Sequence, residues 1–251
     1  MTDGTSEIGL WQDNASTNWQ TLPDSAEPFT EHWYETAKHC RHCRLGAEPN
    51  HGPTGATGPI DAPLMLVGEG PGGVEDTYGV PLVGPSGQLL DCALWSVGIT
   101  RDRVYVTNIV KCRPRNNRTP QAAEADICAT RWLCREIALV KPRAIVALGK
   151  VALRFFAGRE LGIVRSRGQW LQWTLPGTNE VYPVMPTFHP AYLLRLTGPA
   201  EKEAKWQVYY DLLAAKEKAA AAVPAYRWQA ATPPDLKGLF DERRQERAQR
   251  R

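Results

Sequence analysis

Three carboxylates lie in one glycine-rich stretch that directly follows a short apolar run. The stretch covers residues 64–84, LMLVGEGPGGVEDTYGVPLVG, and its acids are Glu69, Glu75 and Asp76. Carboxylates beside a ligand can orient water or stabilise developing positive charge, and glycines allow sharp turns and close approach of the backbone to a ligand. An ordinary strand-to-helix turn with surface acids would have the same composition, so this stretch alone leaves both interpretations open.

Two further polar side chains follow apolar runs that are typical of strands. Asn108 comes after residues 104–107, and His189 comes shortly after residues 181–186. An asparagine amide presents a donor and an acceptor side by side and can read the edge of a planar base, and a histidine can donate to an oxygen on which negative charge develops. Each could instead be a loop cap or a turn residue. Their expected position at strand ends, which they share with Glu69, favours a ligand site.

Four of the six cysteines form a spacing pattern that is typical of metal or cluster binding. Cys40 and Cys43 are separated by two residues, and fifteen residues separate Cys112 from Cys128. Sulfur ligands suit an iron-sulfur cluster or zinc. From the spacing alone, unrelated free thiols remain the alternative.

The glycine-rich stretch also matches the spelling of a dinucleotide-binding fingerprint. Gly68, Gly70 and Gly73 satisfy G-x-G-x-x-G after a predicted strand. However, Pro71 removes a backbone N–H from the turn that would hold pyrophosphate, the neighbouring carboxylates would repel phosphate, and no acidic residue ends a second strand about twenty positions later. We therefore expect no nicotinamide cofactor.

The residues between these candidates predict the elements that position them. Apolar runs of strand length alternate with helical patterns, which is typical of an α/β fold. The first predicted strands cover residues 64–67, 104–107 and 144–148, and the later strands cover residues 164–173 and 181–186. Over residues 30–222 we expect a single three-layer α/β/α domain with a central, mostly parallel four-stranded sheet.

Composition bounds the rest of the chain. A length of 251 residues with 43% hydrophobic content can bury a sizeable core. The formal net charge of +3 is too small to indicate a binding partner. The charge is unevenly distributed, however, because no Lys or Arg precedes Lys38 whereas the chain ends in ERRQERAQRR. Residues 1–29 are predicted to be an acidic, extended lead, and residues 223–251 a polar, basic tail that could contact phosphate.

The start of the chain, MTDGTSEIGLWQDNAS, lacks the basic residues and apolar core of a secretory signal. No apolar run has the length of a membrane span. We therefore expect a cytoplasmic protein without a membrane partner, in which thiols stay reduced. Nothing in the sequence suggests more than a monomer. Cys92 and Cys134 lie among apolar residues at helical spacing and are expected to be small buried thiols.

Several motifs occur together in an order that points to a family. Besides the four cysteines they are LMLVGEGPGGVEDTYGVPLVGPSGQLLD, VYVTNIVKCRPRNNRTP, RAIVALGKVAL and PTFHPAYLLR, and they cover roughly residues 40–212. The chain resembles the family 4 uracil-DNA glycosylases, the cluster-containing branch of the uracil-DNA glycosylase superfamily. The resemblance implies a monofunctional hydrolase of base excision repair that cleaves the N-glycosidic bond of deoxyuridine in DNA, releases uracil and leaves an abasic site.

The resemblance also implies a cofactor and catalytic roles. It implies a structural 4Fe-4S cluster, in preference to zinc, whose ligands would be Cys40, Cys43, Cys112 and Cys128. His189 would donate to the uracil oxygen on which charge develops. Glu69 and Gly70 would line the base pocket. Glu75, together with Asp76, would orient water or stabilise the cationic sugar.

The base-binding residues include one departure from the family pattern. Asn108 would read the uracil edge, but the family's stacking phenylalanine, in PFVG, is replaced here by Leu82. Because stacking on an aromatic ring contributes about 1 to 3 kcal/mol per base, either Leu82 supplies a weaker contact or Tyr78 or Phe188 takes over. The departure motivates an alternative function, a damaged-base or abasic-site binding relative with weak or altered specificity.

DNA is the implied partner, with the target base flipped out of the stack. Residues 190–195 resemble the family's loop that enters the duplex, where Leu193 or Leu194 would fill the vacated space and Arg195 would contact phosphate. The leucines could instead pack in the core. The basic residues around the cluster, expected on the same DNA-facing surface, are Lys111, Arg113, Arg115 and Arg118.

Overall fold

A five-stranded sheet forms the centre of the structure, a computed structural model that describes residues 37–229. The strands are β1 (Leu64–Gly68), β2 (Tyr105–Asn108), β3 (Ala144–Leu148), β4 (Leu171–Thr174) and β5 (Val181–Thr187). Their order in the sheet is β2-β1-β3-β5-β4. The first four strands in this order are parallel, and β4 pairs antiparallel with β5 at one edge. The predicted α/β class with a mostly parallel sheet is confirmed.

The sheet has five strands instead of the four predicted, and the apolar run at residues 164–173 folds in two parts. Its first part belongs to a short helix, Ile163–Ser166, and its second part contains β4. Gly168 lies between them with a φ of +75°, and its N–H donates to the Pro186 carbonyl at 3.0 Å. Glycine adopts this left-handed conformation without steric cost, so the chain reverses here and returns as an antiparallel edge strand.

Helices cover both faces of the sheet. In chain order they are α1 (Gly73–Tyr78), α2 (Pro85–Ser96), α3 (Ala122–Cys128), α4 (Cys134–Val140), α5 (Gly149–Ala157), α6 (Ile163–Ser166), α7 (Pro190–Leu193) and α8 (Gly198–Ala222). A π-helical turn, Ala129–Leu133, joins α3 to α4 directly after Cys128. Such turns insert an extra residue into a helix and are frequent at functional sites.

Alternate side chains of β1 face opposite helical layers, as the period of two along a strand requires. Leu64 and Leu66 pack in one apolar cluster with side chains of α2 and α8. Met65 and Val67 pack in a second cluster with side chains of α3, α4 and α5. All four are fully buried, which explains why β1 reads as a continuous apolar run in the sequence.

The strand register brings the carboxyl ends of β1, β2 and β5 to one edge. Gly68 pairs with Asn108 across β1 and β2, and Leu148 pairs with Thr187 across β3 and β5. The Val110 N–H donates to the Glu69 carbonyl at 3.1 Å, which continues the pairing beyond β1. The residues that follow these three strands therefore emerge together.

The ends of the chain are described in part. Residues 223–229 lie against the body, where the Trp228 carbonyl accepts from the Thr100 N–H at 2.9 Å and the Tyr226 hydroxyl donates to the Arg103 carbonyl at 2.9 Å. The predicted lead, residues 1–29, and the rest of the basic tail, residues 230–251, lie outside the described residues. Within residues 37–229 no helix is long and apolar enough to cross a membrane.

The two cysteines outside the spacing pattern differ from each other. Cys134 is buried, as predicted, whereas Cys92 is exposed. Cys92 lies on α2 and borders a groove that also contacts Pro190 and Tyr209. The apolar neighbours of Cys92 in the sequence suggested burial, but it faces away from the core side of α2.

Candidate active site

A cavity of about 430 Å³ opens at the carboxyl edge of the sheet. Its wall includes Glu69, Gly70, Glu75, Leu82, His189 and Arg195, six residues that the sequence assigns to catalysis, base binding or DNA contact. The loop after β1, the helix α1 with the turn that follows it, and the segment from the end of β5 to just after α7 contribute these residues. The structure thus gathers on one wall residues that are up to 126 positions apart in the chain (Glu69 to Arg195, 195 − 69).

The His189 imidazole is held in one tautomer. Its Nδ1 accepts a hydrogen bond from the Ala191 N–H at 3.1 Å, at the start of α7. In a neutral ring the proton must then be on Nε2. Nε2 is buried and has no hydrogen-bond partner among the described residues. Burial, reinforced by the positive charge of Arg195, lowers the pKa of His189 to about 4. His189 is therefore neutral at pH 7 and offers an unused N–H donor.

Gly149 fixes where the His189 ring can lie. This glycine starts α5 with a φ of +85°, and a Cβ added there would lie 2.8 Å from the His189 Cβ. Only a residue without a side chain fits both this left-handed backbone conformation and the close contact between Gly149 and His189. The contact explains the glycine in the RAIVALGKVAL motif.

The Asn108 amide is a second unpartnered polar group at the same edge. Asn108 is 1% exposed, and neither Oδ1 nor Nδ2 has a partner among residues 37–229. A Cβ added to Gly68 would lie 2.4 Å from Oδ1 and 3.5 Å from Leu82 Cδ1, so the amide lies behind the cavity wall beside Leu82. Because buried polar groups are normally paired, an unpaired amide at this place indicates a ligand with complementary donors and acceptors.

Leu82 lines the cavity from a strained turn. It is 4% exposed and has a φ of +52°, which is uncommon for a residue with a side chain. Two buried charged residues hold this turn. Glu75 Oε1 accepts from the N–H groups of Val83 and Gly84 at 3.1 and 2.8 Å, and Arg101 Nη1 donates to the Leu82 carbonyl at 2.7 Å.

Arg101 is a site residue that sequence reasoning missed. It is 4% exposed, donates to the Pro81 carbonyl at 2.5 Å as well as to Leu82, and pairs with Asp91 at 3.0 Å. It follows α2, nineteen positions after Leu82, in a segment without a recognisable motif (101 − 82). Its role arises from tertiary contact alone, so no local signal could have shown it.

The two cavity carboxylates differ in what they contact. Glu75 is 8% exposed and, besides Val83 and Gly84, its Oε2 accepts from the Gly72 N–H at 3.1 Å. Its oxygens are thus used to fix the loop. Among residues 37–229, Glu69 has no such set of amide donors. Burial raises its pKa, and the charge of Arg195 partly offsets that rise. Glu69 is therefore the carboxylate that remains free to face a bound group.

Comparison with known proteins decides the family. The model of the Uracil DNA glycosylase superfamily matches residues 55–213, more than half of the chain. The chain belongs to the uracil-DNA glycosylase superfamily. The family that the motifs suggested is confirmed.

The most similar proteins include two type-4 enzymes. The Type-4 uracil-DNA glycosylase of Thermotoga maritima is 44% identical over 162 residues, which cover 64% of this chain and 81% of that protein. The Type-4 uracil-DNA glycosylase of Pyrobaculum aerophilum is 39% identical over 179 residues, which cover 68% of this chain and 88% of that protein. A Type-5 uracil-DNA glycosylase of the same organism is 38% identical over 112 residues, covering 39% of this chain and 49% of that protein.

Besides Asn108, which lies behind the wall, two residues that the resemblance assigns to the glycosylase site do not line the cavity. Asp76 is 2% exposed, and its carboxylate accepts from the His51 N–H at 2.8 Å and lies 3.0 Å from His51 Nδ1. Tyr78 ends α1 and does not line the cavity either. Phe188 borders the separate groove beside α2 and packs against Tyr192, with 4.9 Å between ring centroids. Leu82 is thus the apolar residue of this group in the wall.

In the segment that is expected to enter DNA, one of the two leucines is buried and the other is exposed. Leu193 is 4% exposed and packs in the apolar cluster of α2 and α8, so it belongs to the core. Leu194 is 51% exposed. Arg195 is exposed and lines the cavity. Of the two leucines, only Leu194 has the exposure that contact with DNA requires.

The basic residues after β2 are not equally available to DNA. Lys111 is 1% exposed, which corrects its predicted place on the surface. Arg118 lines the cavity but bonds Glu124 through both Nη atoms at 2.8 Å and Glu48 at 2.6 Å. These carboxylates raise its pKa and compensate its charge. Arg113 is partly exposed, and its Nε donates to the Asn117 side chain at 2.7 Å.

The four patterned cysteines are free thiols beside one another. Cys40 and Cys112 line a cavity of about 500 Å³. Burial raises the pKa of Cys43, and the neighbouring Cys40 adds to that rise. Burial likewise raises the pKa of Cys128, and the neighbouring Cys112 and Cys43 add to that rise.

Backbone N–H groups also point at these sulfurs. The Lys111 N–H donates to Cys128 Sγ at 3.4 Å, and the N–H groups of Leu45 and Gly46 lower the pKa of Cys43 by hydrogen bonding. Among residues 37–229, no group of three or more His, Cys, Asp or Glu side chains is close enough to hold a metal ion. Cysteine thiols are the ligand type that holds iron-sulfur clusters.

Proposed function

We propose that this superfamily member hydrolyses the N-glycosidic bond of deoxyuridine in DNA, releasing uracil and leaving an abasic site. One observation carries the proposal: the neutral His189 Nε2–H and the Asn108 amide are both unpartnered among the described residues and lie at the same edge of the sheet. Uracil presents complementary groups, an N–H donor and carbonyl acceptors on one edge. Both residues lie within the matched range.

His189 serves as an electrostatic donor in this reaction. Cleavage of the glycosidic bond leaves negative charge on the uracil oxygens as the sugar becomes oxocarbenium-like. An N–H donor that is already fixed by its environment stabilises such charge without reorganisation. The Ala191 bond to Nδ1 supplies this fixed orientation, and the lowered pKa keeps the ring neutral at pH 7.

Glu69 serves the sugar side of the reaction. Its free carboxylate can stabilise the cationic sugar or orient the attacking water. Glu75 is assigned a positioning role, because three backbone N–H groups occupy its oxygens. Asp76 supports the same segment through His51. These assignments modify the expectation that Glu75 and Asp76 act on water directly.

The DNA must deliver its base into the cavity. A duplex base cannot reach His189 unless it leaves the stack. Leu194, exposed beside the cavity, would fill the space that the base leaves, and Arg195 and Arg113 would contact phosphate. Arg118 contributes less, because Glu48 and Glu124 compensate its charge.

A 4Fe-4S cluster is proposed on Cys40, Cys43, Cys112 and Cys128. When bound, it would fasten the segment before β1 to the loop after β2 and to the end of α3. Its role would be structural. The cysteine thiols, the N–H groups aimed at two of them and the adjoining cavity support this assignment.

The function is tested with oligonucleotides that carry uracil opposite guanine, uracil opposite adenine, or uracil in a single strand, each matched by the same strand with cytosine. Alkali then cleaves abasic sites. We expect breaks at uracil and none at cytosine. Binding to the uracil strands without breaks would favour the second candidate, a damaged-base binding relative, for which the replacement of an aromatic residue by Leu82 is the motivating observation.

A further inference from the structure

Lys111 is a buried cation between the cysteine site and the base pocket. It is 1% exposed. Three oxygen atoms surround its Nζ: Thr107 Oγ1 at 2.6 Å, the Asn108 carbonyl at 3.0 Å and Glu136 Oε1 at 2.6 Å. Thr107 and Asn108 accept hydrogen bonds from the ammonium group, and Glu136 is its ion-pair partner. Glu136 is fully buried, so each charge compensates the other.

The backbone of Lys111 is held as well. Its N–H donates to Cys128 Sγ at 3.4 Å. Its carbonyl accepts from the Thr54 N–H at 2.7 Å and from the Thr54 hydroxyl at 3.2 Å. One residue thus connects the cysteine site with the last residue of β2.

The Asn108 side chain depends on its backbone for its direction. Its amide has no hydrogen-bond partner among the described residues. The Asn108 carbonyl, in contrast, accepts a hydrogen bond from Lys111 Nζ. The peptide unit after Asn108 is held on both sides, since the Ile109 N–H donates to the Gly68 carbonyl at 2.9 Å and the Asn108 carbonyl accepts from Lys111 Nζ at 3.0 Å. The Asn108 amide lies in the enclosed space beside Gly68 and Leu82.

We propose that Lys111, paired with Glu136, is a positioning residue for the uracil-reading amide of Asn108. Its ammonium group holds the Asn108 carbonyl and, together with the Ile109 N–H bond to Gly68, fixes the end of β2 from which the side chain projects. The inference rests on the proposed function, because it assumes that the amide reads uracil. It assigns a role to a buried ion pair that the glycosylase chemistry does not itself use.

The test removes the ammonium and its counter-charge together, since a buried charge left alone would destabilise the fold by itself. In the full-length protein, Lys111→Met is combined with Glu136→Gln. The matched control is Arg154→Met with Asp126→Asn, an ion pair at 2.7 Å between α5 and α3 that does not line the cavity. The measurements are the inhibition constant of free uracil, the single-turnover excision rate and the unfolding temperature.

The expected result is a rise of about tenfold or more in the inhibition constant of uracil, the size of one lost charged hydrogen bond. The control pair should leave that constant unchanged even where it lowers the unfolding temperature. A merely structural role for Lys111 would lower the unfolding temperature and leave uracil binding by the folded protein as in the wild type. That outcome would overturn the inference.

A milder variant keeps the test decisive if the first one does not fold. Lys111→Gln with Glu136→Gln retains a polar pair in the core, but the shorter side chain does not reach the Asn108 carbonyl. The same tenfold rise is expected, and wild-type uracil binding would refute the positioning role. Wild-type excision in the same assay separates the two proposals. If the wild type does not excise uracil, both the proposed function and this inference fail. If the wild type excises uracil but the variants bind free uracil as the wild type does, only this inference fails.

Discussion

At the residue scale, the site contains buried polar groups whose hydrogen-bonding capacity is only partly used within the described residues. His189 uses one ring nitrogen for the Ala191 N–H and leaves the other unpaired among the described residues. Asn108 leaves its whole amide unpaired within the same part of the chain. Unpaired buried groups cost stability, so a bound uracil that pairs with them gains affinity from relieving that cost.

The lowered pKa of His189 predicts a pH dependence of stability. Between about pH 6.5 and about pH 4, the unfolded imidazole takes up a proton that the folded one does not. The free energy of unfolding should therefore fall as the pH is lowered through this range, by at most about 1.4 kcal/mol per pH unit from this residue. Urea unfolding at several pH values, compared between wild type and His189→Asn, measures the difference. Equal slopes in the two proteins would show that His189 titrates normally.

Leu82→Phe should tighten uracil binding. The leucine lines the cavity where the family pattern has an aromatic residue, and stacking contributes on the order of 1 to 3 kcal/mol per base. The left-handed turn held by Glu75 and Arg101 is retained in the variant, since both bond only backbone atoms there. The inhibition constant of free uracil is the measurement. Unchanged or weaker binding would mean that Leu82 is not the platform for the base.

Sequence patterns could assign these residues to the site but could not always predict whether each side chain is buried or exposed. The spacing of Leu193 and Leu194 did not show which is buried, because a single turn of helix can face either way. Lys111 stands among arginines in VKCRPRNNR, which suggested a surface cation. Its burial depends on Glu136, twenty-five positions away, and only the folded chain brings the two together (136 − 111).

At the element scale, the parallel strands and the glycines at their ends set the geometry. The predicted strands at 64–67 and 144–148 correspond to β1 and β3, because buried parallel strands are short continuous apolar runs. The run at 164–173 was misassigned as one strand, since short apolar runs do not distinguish a helix from a strand. The π-helical turn after Cys128 had no sequence signal.

Gly149→Ala should slow uracil excision by displacing His189. The added Cβ would lie 2.8 Å from the His189 Cβ, and a misplacement of about 1 Å in a catalytic group can cost about a hundredfold in rate. Gly158→Ala at the other end of α5 is the matched control. It has a φ of +69° and nothing within 4 Å, so it carries the same backbone strain without the contact.

Single-turnover excision rates and unfolding temperatures of both variants make the comparison. Both should lose stability by about 1 to 2 kcal/mol from the left-handed conformation, and only Gly149→Ala should lose rate. Equal rates in the two variants would show that the position of His189 does not depend on Gly149.

At the scale of the whole molecule, the cysteine site joins parts of the chain that the sheet does not connect. The Cys40 and Cys43 segment precedes β1, whereas Cys112 and Cys128 follow β2. The α/β class and the family followed from strand alternation and ordered motifs. The buried contacts of Arg101 and Lys111 did not, because they depend on tertiary packing between distant segments.

If the proposed cluster is bound, Cys112→Ser should remove both its visible absorbance and part of the protein's stability. Cluster binding is coupled to folding when the ligands come from separate segments. Cys92→Ser is the control, since Cys92 is exposed on α2 and outside the ligand set. Absorbance spectra and thermal unfolding of the purified variants are compared. A brown, equally stable Cys112→Ser protein would contradict the ligand assignment.

The central claim is that this cavity excises uracil with His189 as the donor to the leaving base. Its most direct test is the single-turnover rate of uracil release from a duplex with one uracil, measured for the wild type and for His189→Ala. We predict release by the wild type, no release from the matching cytosine duplex, and a rate about a hundredfold or more lower in the variant, the usual cost of removing one such donor. A wild type that releases no uracil, or a variant that releases it at the wild-type rate, would contradict the account.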